Sequence, residues 1–166
     1  AVASLETLAA WLQGIDWLTL SNRPGRRFRA RLTDPVSLTP FMEGFADRIF
    51  ALSFWADPFA YEATPTVLTK TAAFNLTRVG TIEAYPLIQL TATGDITLTI
   101  GDKTLAITGV PGSCIIDVAA GLIYSGSTNL SGNAETDDWP LTIPAGTGDV
   151  PISWGGNVSQ MIIQPN

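Results

Sequence analysis

Residues 87–118 have the sequence LIQLTATGDITLTIGDKTLAITGVPGSCIIDV, and no other segment indicates the fold class so clearly. Apolar and polar residues alternate along it and β-branched side chains are frequent, which is typical of half-buried β-strands. Gly101-Asp102 separates two of these runs, with glycine first, as a type II′ hairpin requires. We therefore predict strands at residues 87–92, 95–100, 103–108 and 113–118.

The rest of the C-terminal part shows the same pattern of short predicted strands separated by turns. Gly155-Gly156-Asn157 is predicted to be a turn between two of these strands. Regularly spaced short strands are typical of a β-sandwich or jelly roll. We predict such a domain over residues 65–166, with further strands at 72–78, 122–124, 141–143, 150–154 and 158–163.

The N-terminal part has a different pattern. Apolar residues at helical spacing between a capping Ser4 and Gly14 predict a helix over about 4–13. Alternation then predicts long strands over about 26–32 and 45–56, the second ending at Asp57-Pro58 because proline lacks a ladder donor. Residues 1–64 therefore form a first domain. Since the chain starts without methionine and directly in the helical pattern, we expect sequence before Ala1 to be missing.

Composition excludes several classes of function. The 166 residues include no histidine and a single cysteine, Cys114, and the net charge is −6. Without imidazole, the common hydrolase triads and zinc sites cannot form. An acidic chain is also poorly suited to binding nucleic acid. No carboxylate pair shows an acid–base signature and no apolar run approaches the ~20 residues of a membrane span, so we expect neither an enzyme, a cofactor nor a membrane span.

Arg27, Arg29 and Arg31 share one face of the predicted strand 26–32. One interpretation is a solvated strand face. Another is a subunit interface, because arginine pairs well with carboxylates and most of the acidic residues lie elsewhere in the chain. Nucleic-acid binding is disfavoured, since no aromatic platform is interleaved with the arginines on that face.

The predicted strand 45–56 is apolar on both faces, one of which includes Ile49 and Trp55. A strand of this kind is either central in a sandwich or covered by another subunit. We predict that burial between subunits involves this apolar face together with the arginine face. The candidate interface residues are Arg27, Arg29, Arg31, Ile49 and Trp55.

Two further groups of residues have competing interpretations. Glu135, Asp137 and Asp138 lack the spacing of a calcium loop, so we expect a solvated acidic loop and no metal. Tryptophan is frequent in the chain, and core packing is the simplest explanation. If the C-terminal domain instead binds carbohydrate, Trp139 and Trp154 are the candidates for stacking on sugar rings.

A series of short motifs resembles a known family when the motifs are taken in order along the chain. The segments are RPGRRFRAR (23–31), FWADPFAY (54–61), GTIEAYP (80–86), GDITL (94–98), GDKTL (101–105), IID (115–117), GLIY (121–124), WPLTIPAG (139–146) and ISW (152–154). Their types and order are similar to those of the distal tail proteins of long-tailed phages. The resemblance covers nearly the whole chain.

The resemblance implies a mainly β protein with an N-terminal ring-forming portion and a C-terminal galectin-like or jelly-roll sandwich. It implies a structural role, in which six copies form a ring between the tail tube and the tip or baseplate and contact tape-measure and host-recognition components. The protein would be made in the bacterial cytoplasm and reside at the tail tip of the virion. No catalytic residue is implied. The alternative is a carbohydrate-binding β-sandwich module.

Overall fold

The computed structural model describes residues 14–33, 39–40, 48–49, 52–78 and 80–165. The chain divides between Thr64 and Pro65 into two compact units, the first unit and the second unit. Most of the described residues lie in antiparallel strands, which confirms the predicted mainly β class. The helix predicted over about 4–13 lies outside the described residues, as does much of the strand predicted over 45–56.

The described strands of the first unit form a three-stranded sheet and a separate short pair. In chain order they are β1 (Ile15–Thr19), β2 (Arg26–Leu32), β3 (Thr39–Pro40), β4 (Arg48–Ile49) and β5 (Phe54–Glu62). The sheet has the order β1-β2-β5, and β3 pairs with β4. A tight turn follows β1, with the Arg23 amide donating to the Leu20 carbonyl at 2.9 Å. The alternation predicted for 26–32 is thus confirmed as a strand.

The prediction that a strand ends at Asp57-Pro58 is wrong, because β5 continues through this dipeptide to Glu62. Phe28 pairs with Ala60 and Ala30 with Ala56, so residues 57–59 all lie opposite Arg29. This bulge lifts Pro58 out of the regular ladder. Since β5 is also at the edge of the described sheet, the missing proline amide leaves no ladder position unpaired.

The second unit is built on three long antiparallel strands. Its strands are β6 (Leu68–Lys70), β7 (Phe74–Arg78), β8 (Leu87–Ile100), β9 (Lys103–Asp117), β10 (Leu122–Ser125), β11 (Thr128–Asn129), β12 (Ala134–Glu135) and β13 (Gly148–Gln164). The order in the sheet is β11-β10-β9-β8-β13-β6, with β12 paired to β9 and β7 to β13. A single 3-10 turn, Ser131–Asn133, precedes β12.

Three predicted pairs of short strands are in fact continuous strands that contain bulges. The register between β8 and β13 shifts at Gly156/Asn157, and that between β8 and β9 shifts at Gly94/Ile96. Gly156 has φ +85°, and a Cβ atom there would collide with the carbonyl oxygen of Asp95. At this shift the extra residues are Gly94 and Asp95 of β8, opposite the step from Gly156 to Asn157. The predicted turn at Gly155-Gly156-Asn157 is therefore wrong, because β13 continues through these residues past a bulge in β8. The predicted strand 141–143 is also absent, since only Ile143 pairs, in an isolated bridge to Ala84.

The second unit has one apolar core, and each long strand packs against it on both sides of its bulge. β8, β9 and β13 contribute buried residues from both sides of their bulges to the same cluster. The sheet therefore bends over a shared core, which gives the predicted sandwich arrangement. Fully enclosed members include Ile88, Leu90, Leu98, Ile100, Leu105, Ile107, Cys114, Ile116, Ile152, Met161 and Ile163.

Candidate interaction surface

One face of the first unit's sheet combines arginines with aromatic side chains. Directly opposed residues of an antiparallel pair point to the same side of the sheet. Trp17 is opposite Arg29, and on the other flank Tyr61 and Trp55 are opposite Arg27 and Arg31. We call this surface the arginine–aromatic face, and it consists of Trp17, Arg27, Arg29, Arg31, Trp55 and Tyr61.

Ring contacts hold these side chains together. The Arg27 guanidinium lies over Trp17, 4.1 Å from the ring centre, and Tyr61 meets the same indole in an edge-to-face contact at 5.1 Å. Arg31 lies 5.3 Å from the centre of the Trp55 ring. Cation–π contacts are worth about 0.5–1 kcal/mol at exposed sites. The prediction that no aromatic group is interleaved with the arginines is therefore wrong.

These arginines are short of anionic partners. Among the described residues, no ion pair or hydrogen bond involves the side chains of Arg27, Arg29 or Arg31, and the Nε atom of Arg27 is buried without an acceptor. By contrast, Arg78 in the second unit donates to three backbone carbonyls. The guanidinium groups of this face therefore have N–H donors and positive charge that no described residue pairs.

A shallow cavity of about 320 Å³ opens on this face. It is lined by Ile15, Arg29, Ala30, Arg31, Trp55 and Asp57. Trp55 is 55% exposed and Ile15 60% exposed, so an apolar wall lies beside two guanidinium groups. Such a site suits an apolar or aromatic side chain that is accompanied by carboxylates.

Four of the five predicted interface residues lie together on this face. They are Arg27, Arg29, Arg31 and Trp55, whereas Ile49 belongs to β4 and pairs with Thr39. The sequence interpretation missed Ile15, Trp17 and Tyr61. The alternation in Ile15-Asp16-Trp17-Leu18-Thr19 was an available signal for β1, but its pairing with β2 depends on tertiary structure.

A second surface, on the second unit, has the opposite charge. The β8–β9 turn and the segment after β12 bring together Asp102, Glu135, Asp137, Asp138 and Trp139, all exposed, and we call this set the acidic end. Asp138 accepts a hydrogen bond from the Thr104 amide at 3.3 Å. Lys103 donates to the Pro140 carbonyl at 2.8 Å and to Thr142 Oγ1 at 3.0 Å, which fixes the segment beside Trp139.

The two tryptophans named for sugar stacking have different surroundings. Trp154 packs against the core of the second unit, whereas Trp139 is 39% exposed. Of the two, Trp139 thus presents more of its surface. Within the described ranges, no group of three or more histidine, cysteine, aspartate or glutamate side chains is arranged to hold a metal ion, and no helix has the length and apolarity to cross a bilayer.

Comparisons with known proteins give a match in structure only. No family model matches the sequence, and no curated protein matches it. Among solved structures, the fold is similar to the crystal structure of the Dit (gp 19.1) protein of phage SPP1, described as a paradigm of the hub adsorption apparatus in phages that infect Gram-positive bacteria. The TM-score is 0.62 at 15% sequence identity, covering 98% of this chain and 69% of that one. The chain therefore has the fold of a phage distal tail hub protein.

Proposed function

We propose that this chain is a distal tail protein of a phage or prophage, with a structural role in the hub of the tail tip. The observation that carries the proposal is the similarity in fold to SPP1 Dit over 98% of the chain. The serial motifs between residues 23 and 154 support it independently, because they depend on the amino-acid sequence alone. The role requires assembly and no bond-making chemistry.

The proposed hub is a ring of six copies that joins the tail tube to the tip or baseplate. The first unit supports self-association because a small sheet exposes several large apolar side chains. Ile15, Trp17, Trp55 and Phe59 are each more than two-fifths exposed. Exposed apolar side chains grouped on one surface mark interaction sites in soluble proteins. The tail tube, tape-measure and tip or baseplate components would be the further partners, at the tail tip of the virion.

Direct imaging tests this proposal. We expect the purified protein to give sixfold rings in negative-stain electron microscopy and a matching mass by mass photometry at micromolar concentration. A monomer at every concentration tested would contradict the ring. If that monomer also bound defined oligosaccharides on a glycan array, a carbohydrate-binding module would be the better description.

A further inference from the structure

The two units differ in which of their charged side chains have contacts with other residues. In the second unit, all three cationic side chains have contacts: Arg78 and Lys103 donate to oxygen atoms, and Lys70 lies over Phe74. On the arginine–aromatic face, no described carboxylate pairs with an arginine. At the acidic end, the side chains of Asp102, Glu135 and Asp137 likewise have no hydrogen bond or ion pair with any described residue. The arginine–aromatic face therefore exposes positive charge, and the acidic end negative charge, that no described residue pairs.

We propose that the arginine–aromatic face of one copy binds the acidic end of a second copy. This inference rests on the proposed ring and names the surfaces that would form it. The two surfaces are complementary in charge, and each also exposes an indole, Trp55 on one and Trp139 on the other. Carboxylates of the acidic end pair with Arg29 and Arg31, and Trp139 supplies the aromatic group for the neighbouring cavity.

A second copy fits this face better than a nucleic acid does. The chain carries a net charge of −6, so a polyanion would be repelled by most of the molecule. Arg27 already lies over one face of the Trp17 ring, and Tyr61 is in edge-to-face contact with the same ring, so that face is not free for base stacking. A contact between two different surfaces of identical copies is heterologous, and such contacts generate a closed ring when the rotation between successive copies closes.

Two charge-reversal variants test the contact. The first carries Arg29→Glu and Arg31→Glu, and the second carries Glu135→Lys and Asp137→Lys. All four side chains are exposed, so both variants are expected to fold, which circular dichroism verifies. Each variant alone places like charges on both surfaces, and its association should be at least about tenfold weaker than that of the wild type, as for like charges opposed across an interface.

Mixing the two variants gives the decisive result. In an equimolar mixture, the reversed face of one variant is complementary to the reversed end of the other, and the two unchanged surfaces are complementary as well. Rings of alternating variants should therefore form, although neither variant forms them alone. The matched control is Arg23→Glu with Arg26→Glu, which gives the same change in net charge away from the face. It should assemble like the wild type.

The outcomes separate this inference from the proposed function. If the wild type forms rings and the Arg29→Glu, Arg31→Glu variant forms them equally well, this contact is wrong and the ring remains. If both variants are impaired but their mixture stays dissociated, the contact is also wrong. If the wild type is monomeric at every concentration, the proposed ring and this contact both fail.

Discussion

The guanidinium of Arg27 lies over the indole of Trp17, 4.1 Å from the ring centre, although the two residues belong to different strands. The indole is also in edge-to-face contact with the Tyr61 ring. These contacts join all three strands of the first unit's sheet, since Trp17, Arg27 and Tyr61 come from β1, β2 and β5. The cluster therefore stabilises the same sheet whose surface is proposed to bind a second copy.

Replacing Trp17 by alanine should weaken this sheet. Loss of the cation–π and edge-to-face contacts is expected to lower the free energy of unfolding of the first unit by about 1–2 kcal/mol. Hydrogen exchange of the β2 amides measures the change locally. Trp55→Ala is the matched control, because Trp55 is more exposed and its arginine is farther away, at 5.3 Å. Equal losses in the two variants would contradict the role given to the cluster.

Arg78 should be important for the segment that leads into β13. Its Nε, Nη1 and Nη2 atoms donate to the carbonyls of Gly148, Ala145 and Thr147 at 3.3, 3.1 and 3.0 Å. A lysine cannot reproduce this fork, so Arg78→Lys should cost nearly as much as Arg78→Met, about 1–2 kcal/mol of unfolding free energy. Faster hydrogen exchange at 145–148 would locate the effect.

Lys70→Met provides a comparison for the Arg78 variants. The Lys70 ammonium lies 5.2 Å from the centre of the Phe74 ring. Loss of this cation–π contact should lower the free energy of unfolding by less than about 1 kcal/mol. If Arg78→Lys were as stable as the wild type, the three carbonyl contacts would not contribute to stability.

The close approach of β13 to the bulge in β8 should tolerate no side chain at position 156. Gly156→Ala would combine a positive φ of +85° with a collision against the Asp95 backbone, and we expect a loss of at least about 3 kcal/mol of unfolding free energy. Gly121→Ala is the matched control. Its φ is +70° with nothing within 4 Å of the added Cβ, so only the backbone cost of about 1 kcal/mol applies. Similar melting temperatures for both variants would argue against the bulge geometry.

Burial should make Cys114 unreactive and sensitive to alkaline pH. Cys114 is fully enclosed in the core, and desolvation raises the pKa of its thiol from 9.0 to about 11. Because the folded state favours the neutral thiol, its contribution is fully present below pH 9 and is lost as the pH rises through about 11. The free energy of unfolding should fall by about 2–3 kcal/mol over this interval on account of this group.

Comparison with Cys114→Ala isolates the thiol from other groups that titrate at alkaline pH. Denaturation at pH 8 and pH 11 should show a larger decrease in stability for the wild type than for the variant. An aromatic disulfide reagent should label the native protein only as fast as the second unit opens. Rapid labelling of the native protein, or identical decreases in stability, would show that the thiol is accessible.

Much of the second unit was predictable because β-strand patterns are local. The period-two alternation of Ile88, Leu90 and Ala92 requires only that one face be buried, and these residues are buried in the structure. The same argument placed Arg27, Arg29 and Arg31 on a common face. Sequence reasoning failed where glycine and proline were involved. Gly156 and Pro58 indicated breaks, but β13 continues through Gly156 opposite a bulge in β8, and β5 accommodates Pro58 in a bulge of its own.

The amino-acid sequence by itself determined the mainly β class, the strand faces and the resemblance to distal tail proteins, because each depends on residue type and short spacing. Only the tertiary structure decided that Trp17, Trp55 and Tyr61 share the face of the arginines. That arrangement depends on strand order and register, and a shift of one residue would turn the aromatic side chains to the opposite side. The common orientation of Arg27, Arg29 and Arg31 follows from alternation within one strand. The aromatic side chains that complete the arginine–aromatic face come from other strands, and only strand pairing brings them there.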